Sequence, residues 1–281
     1  MVTNFTEGWL GADQEREDFE HFISDSEVCG QQWYVPFDDI KYRIYSEADL
    51  YNKWIPDWFT DYNYMQDASN GCAMINGVAR TIWYSLQLMK RKGKEVIPFR
   101  VMEAWAYMLY HAYIAKDYGY GGCTMSGAMN AINKYGVLPY DVYGNVITDK
   151  QMVQLGWNRK QKSAEIMDKY GSIAENFQVK VTIPKTFNDI QACLKAGYAI
   201  GYGTTIGLKK GNDNIYRISG RCSHSMTYGF YKEGYFGHAN SYGDNFGWLA
   251  ENDAKRQIET RGFSCFCVID IERGRKAAPN W

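Results

Sequence analysis

Hydrophobic residues change their spacing once along this chain of 281 residues, and that change limits the fold more than any other feature. Before about residue 178 they recur at steps of three and four, the period of a helix with one buried face. After it they gather in short runs rich in Val, Ile, Tyr, Phe and Thr, divided by turns that contain Gly, Asn and Asp, as strands do. The spacing predicts helices over 72–90, 101–115, 126–135 (ended by Gly136) and 159–170. It predicts strands over 177–183, 198–205, 215–218, 224–231, 235–240 and 264–271, a short helix at 190–196, and a hairpin turn at Lys232-Glu233-Gly234. Helices first and antiparallel strands after them imply an α+β fold: a helical lobe over residues 56–177 packed on a sheet or barrel over residues 178–281.

Residues 1–55 stand apart as an N-terminal extension. Its first 30 residues carry eight acids against Arg16 alone, with a weak apolar stripe at Phe19, Phe22 and Ile23, which predicts a docked helix or a loose arm. Residues 31–65 are aromatic and broken by Pro36 and Pro56, which predicts extended chain. The extension is also the expected place for a protein partner.

Charge excludes some functions. Lys and Arg number 31 against 32 Asp and Glu, without the basic excess of a nucleic-acid binder. No apolar run is long enough to cross a bilayer, and Met1–Leu10 lacks the basic and apolar segments of a secretory signal, so a cytoplasmic protein, or one carried within a virion, is expected. The histidines other than His224 (His21, His111 and His238) are scattered without metal-ligand spacing, and neither a metal nor an organic cofactor is expected. Seven cysteines, an odd number with no CxxC pair, leave at least one thiol for a task of its own.

Cys72 opens the strongest helical pattern. A thiol in the first turn of a helix meets unpaired N–H groups and the positive end of the helix dipole, which favour thiolate. Such a nucleophile needs a base on another element and a third group that orients the base. His224, at the start of a predicted strand, and Asn240, sixteen residues later, are of the right types. Singly each residue has a plainer reading: a cysteine at a helix start is more often a small buried hydrophobe, a histidine on a strand is more often structural, and an Asn before Ser-Tyr-Gly is more often a turn. Their joint order is what carries information.

That order resembles the papain-like cysteine peptidases. Gln66 stands six residues before Cys72, as a Gln stands before the nucleophile in that family. His224-Ser225-Met226 resembles its histidine strand, and Asn240-Ser241-Tyr242-Gly243-Asp244-Asn245-Phe246-Gly247 is similar to its Asn-Ser-Trp-Gly-x-x-Trp-Gly. The resemblance implies a two-lobe papain-like fold with a helical lobe and an antiparallel β-barrel-like lobe. It implies thiol-dependent hydrolysis of a peptide or protein substrate by Cys72, His224 and Asn240, with Gln66 and the Cys72 N–H as oxyanion hole. It also assigns Gly122 and Cys123 to the strand that pairs with substrate, and Tyr242 to the cleft beside them. Several positions depart from the pattern. The family's two Trp residues after the Asn are Tyr242 and Phe246, the residue after the nucleophile is Ala73, and Cys123 replaces the second glycine of the substrate strand. The cysteines of the family's nucleophile-loop disulfide would fall at Ser69 and Tyr120, an absence that fits a reducing compartment. These departures keep two alternatives open: a papain-fold structural or binding component of a larger assembly, such as a phage particle, with catalysis weak or lost, and a related thiol amidase or acyl transferase.

Overall fold

The computed structural model describes residues 9–51, 73–101, 103–116, 122–140, 160–240 and 246–273. Six helices precede the first strand among these residues. They are α1 (Ala12–Val28), α2 (Phe37–Tyr51), α3 (Ala73–Arg91), α4 (Glu103–Leu109), which runs on as a π-helical turn over Tyr110–Ile114, α5 (Met125–Tyr135) and α6 (Lys160–Tyr170). The strands are β1 (Phe177–Thr182), β2 (Ile200–Lys210), β3 (Ile215–Lys232), β4 (Tyr235–Ala239), β5 (Phe246–Ala250) and β6 (Phe263–Arg273), with α7 (Phe187–Lys195) and α8 (Glu251–Ile258) between them. The sheet order is β1-β6-β2-β3-β4-β5. Successive neighbours are antiparallel, and β5 pairs a second time, in parallel, with Ile215 and Tyr216 at the start of β3. That extra pairing curls the sheet toward a barrel and shortens its exposed edge. This is the α+β architecture expected from the spacing of apolar residues.

Three local outcomes differ from the sequence expectations. Residues 37–51 form a helix where extended chain is expected. Pro36 stands just outside the helix, and Phe37, Ile40, Ile44 and Ala48 then fall on one face that packs against α7. Trp33 to Val35 do run beside Val181 of β1, through two backbone bonds of 2.8 and 2.9 Å, and residues 52–65 of that stretch lie outside the described residues. The two short strands expected at 215–218 and 224–231 are one strand, because Gly220 (φ +70°) lets the chain bulge without ending its pairing. The short helix α7 begins three residues early, where Thr186 and Asp189 exchange side-chain-to-backbone bonds in a capping box.

Two cores flank the sheet. One lies among α3, α4, α5, β1 and β6, with Trp105, Met108, Ile132 and Val179 inside it. The other lies between the sheet and α2, α7 and α8, around Tyr202, Tyr228, Phe236 and Leu249. The contact that positions the rest is between α3 and β3. Thr227 Oγ1 donates to the Gly77 carbonyl at 3.2 Å and lies 3.1 Å from Thr81 Oγ1. A Cβ on Gly77 would sit 2.2 Å from Ser225 Oγ and 3.2 Å from Ser225 Cβ, so only glycine lets the helix approach this closely. Gly77→Val should therefore lower unfolding stability by about 1–3 kcal/mol by urea titration. In a helix with open space at that position, the same change would be close to neutral.

Candidate active site

β3 and the residue after β4 bring the site together. Thr227 pairs with Ala239, so the next position sets Asn240 across from Met226, two residues from His224 and on the same face of the sheet. His224 Nε2 lies 2.7 Å from Asn240 Oδ1. An amide oxygen only accepts, so Nε2 carries the proton and Nδ1 is left as the basic nitrogen. The Asn240 carbonyl in turn accepts from Arg80 Nη1 of α3. Arg80 is 2% exposed, and its guanidinium carbon lies 5.7 Å from the centroid of the Phe246 ring.

The surroundings keep the imidazole neutral. Burial pushes the His224 pKa down from 6.5 to about 4; the Arg80 charge pushes the same way, and the bond to Asn240 opposes it. His238, paired with the Tyr202 hydroxyl at 3.0 Å through Nδ1 and set among Tyr202, Tyr216 and Tyr228, is pushed to about 3, again mainly by burial. It lies among those aromatic rings, on the same face of the sheet as Asn240.

The helix start lies level with this pair. Gly77 faces Ser225 and Thr81 faces Thr227, so α3 and β3 run in the same direction: four helical residues advance about 6 Å and two strand residues about 6.6 Å. One turn back from Gly77, the first residue of α3, Ala73, comes level with Ser223 and His224. Gln66, Cys72 and Tyr242 lie outside the described residues, as do residues 117–121 of the loop before Gly122 and the positions Ser69 and Tyr120. Gly122 and Cys123 are both buried.

The edge at Cys123 is already paired. Leu10 N–H donates to the Cys123 carbonyl at 3.3 Å, and Trp9 lies beside Cys123 in a parallel bridge. Ser223, the residue before His224, donates from its hydroxyl to the Trp9 carbonyl at 2.6 Å. The Trp9 indole is fully buried over Gly203, where a Cβ would come within 2.5 Å of the ring. Glu15 locks this segment in place. Its carboxylate accepts from Met125 N (2.8 Å), Ser126 N (2.7 Å), Ser126 Oγ (2.6 Å) and Trp9 Nε1 (3.3 Å), capping α5. Burial still raises the Glu15 pKa above the ordinary carboxylate value, against those four bonds.

Other thiols have structural surroundings. Cys123 Sγ donates to the Thr124 carbonyl at 3.0 Å, and burial pushes Cys222 to about 11 and holds Cys193 and Cys265 well above the ordinary thiol value. Among the described residues no group of three His, Cys, Asp or Glu side chains is placed to hold a metal, and no helix is long and apolar enough to cross a membrane. Sequence reasoning passed over Arg80, Trp9, Gly203 and Ser223. Arg80 had left a visible signal, as the one charge within the apolar stretch from Cys72 to Met89.

No protein-family model matches the chain, and no curated protein matches its sequence. Solved structures do match its fold. Xylellain, a cysteine protease from Xylella fastidiosa, superimposes with a TM-score of 0.51 at 15% identity, over 75% of this chain and 82% of that one. Digestive procathepsin L 3 from the larval midgut of Tenebrio molitor gives 0.44 at 11% identity over 91% of both chains. The procathepsin B S9 of Trypanosoma congolense gives 0.44 at 14% identity, over 76% of this chain and 73% of that one.

Acid should test the buried imidazoles. The unfolded chain takes up protons near pH 6.5, whereas folded His224 does so only near pH 4 and His238 near pH 3. Their contribution to stability is therefore complete above about pH 6.5 and is lost as pH falls toward those values, with Glu15 acting in the opposite sense. Urea unfolding at pH 7 and pH 4.5 should differ by about 2–3 kcal/mol for each histidine, and His224→Gln should remove one such share.

Proposed function

We propose that this chain, which has the papain-like fold, is a cysteine peptidase that hydrolyses peptide bonds in a peptide or protein substrate through Cys72, His224 and Asn240. The observation that carries the reading is the His224 Nε2 to Asn240 Oδ1 bond of 2.7 Å, level with the first turn of α3, which begins one residue after Cys72. The bond leaves Nδ1 as the nitrogen that accepts the thiol proton. The sulfur then attacks the substrate carbonyl, and the Cys72 N–H and the Gln66 amide stabilise the oxyanion. Imidazolium formed in that step donates its proton to the departing amine, leaving a thioester. Neutral His224 next takes a proton from water, whose oxygen attacks the thioester and releases the acid and the thiol. Asn240 holds the ring in one tautomer throughout. The environment of His224 favours the neutral base at rest, and a thiolate at Nδ1 would supply the charge that favours imidazolium.

Alkylation of Cys72 by iodoacetamide between pH 5 and 9, with mass mapping, tests this directly. Cys72 should react with an apparent pKa well below the free-thiol value of about 8.5. His224→Ala should remove that reactivity, and Asn240→Ala should reduce it about tenfold or more. An ordinary alkaline titration of Cys72 in the unaltered chain would overturn the proposal.

One observation favours a second reading, a papain-fold component of a larger assembly whose catalysis is weak or lost. The Cys123 edge, assigned to substrate, already holds Trp9 and Leu10. A fully buried Trp removes roughly 200 Å² from water, worth about 5 kcal/mol before the cost of ordering the chain, so peptide binding there must displace a firmly seated segment. Deleting the whole extension is a poor test, because Phe22, Phe37 and Ile44 belong to the cores. Trp9→Ala is a better one. For a peptidase, Cys72 should react at least tenfold faster with a peptidyl epoxide in Trp9→Ala, with little change toward iodoacetamide. An unchanged peptidyl rate would favour the assembly component.

A further inference from the structure

Beyond the proposed triad, Arg80 is the charged side chain whose position most needs a reason. It sits in α3 at 2% exposure and carries a planar guanidinium. Burying a guanidinium costs several kcal/mol of hydration unless its planar fork is used. Two of its contacts flank one short segment of the chain. Nη1 donates to the main-chain carbonyl of Asn240, and the guanidinium lies 5.7 Å from the Phe246 ring centroid, within cation–π range. Asn240 and Phe246 are the last residue before, and the first residue after, the segment 241–245, so one rigid group engages both of its ends.

The consequence runs through Asn240. Its main chain is held by Arg80 while its side-chain oxygen holds His224 Nε2 at 2.7 Å. β4 ends at Ala239, one residue before Asn240. The Arg80 donor ties the Asn240 main chain to α3, the helix that begins one residue after Cys72. We propose that Arg80 is a positioning residue for the His224–Asn240 pair: its fork fixes the Asn240 main chain from α3 and thereby keeps Nε2 protonated and Nδ1 directed to the nucleophile. The part concerning Cys72 rests on the peptidase reading; the part concerning the His224 tautomer does not.

The full chain is tested in three forms, unaltered, Arg80→Ala and Arg80→Lys, with two readouts. The first is the proton NMR signal of His224 Nε2–H, identified by its absence in His224→Ala. The second is the rate of Cys72 alkylation at pH 7. The signal should be present and protected in the unaltered chain and lost in both variants, and alkylation should slow at least tenfold in both. Lysine fails here because a point charge on a flexible stem cannot serve the carbonyl and the ring together. Guanidinium ion at millimolar concentration should restore the signal and part of the rate in Arg80→Ala, and ammonium ion should not. A merely structural arginine would not give that selective rescue. Should Arg80→Ala fail to fold, the volume-conserving Arg80→Lys decides: an unchanged Nε2–H signal in it would overturn the proposal. So would a folded Arg80→Ala with both readouts intact, or loss that guanidinium leaves unrepaired. If Cys72 in the unaltered chain titrates as an ordinary thiol, the peptidase reading fails, while the NMR signal still decides what Arg80 does.

Discussion

The close approach of α3 to β3 is the contact on which the other features depend. It is made by an absent side chain at Gly77, a threonine pair at Thr81 and Thr227, and a hydroxyl given to a helix carbonyl. Helix and strand advance at different rates per residue, so they stay in step only over a short length. Here that length runs from Gly77 to Thr81 and sets the start of the helix level with His224. A larger residue at Gly77 would move the helix along its whole length, because interiors at crystal-like density do not absorb a displacement locally.

Polar groups buried along this seam hold one another. Arg80 reaches Asn240, Asn240 reaches His224, Ser223 reaches Trp9 and Trp9 reaches Glu15. The price of such a network is that each member is costly to orphan, so the loss of one weakens its neighbours. The same economy explains the acidic extension. Asp13, Glu17, Glu20 and Glu27 face solvent, but three of its carboxylates are docked: Glu15 caps α5, Asp18 accepts from Tyr110 and Thr124, and Asp25 meets Asn130 and Lys134. Part of the acid in residues 1–30 thus serves to dock α1 on α5.

Much of this was legible from residue order. The change of apolar spacing near residue 178 matches the start of β1 at Phe177, and Gly136, with φ +81°, ends α5 where its place after Tyr135 suggested. The resemblance pairs His224 with Asn240, and a 2.7 Å hydrogen bond joins them. Helix α2 was hidden behind Pro36 and its aromatic neighbours, although Phe37, Ile40 and Ile44 already followed a helical period. The long β3 was hidden because Gly220 reads as a turn, and only its neighbours on β2 show that pairing continues past it.

Local order places a cysteine one residue before an amphipathic helix, a histidine on a strand, an asparagine sixteen residues on, and a glutamine six residues ahead of the cysteine. The helix and the strand follow from periods of 3.6 and 2 that a sequence displays directly, and the grouping of the four residues follows from their resemblance to the papain-like pattern. Tertiary structure alone decided that an arginine inside α3 braces the asparagine, that Gly203 leaves room for an indole, and that Trp9 lies along the edge at Cys123. Each of these joins residues more than 100 positions apart, and such pairings depend on how the two lobes pack, which no local period encodes.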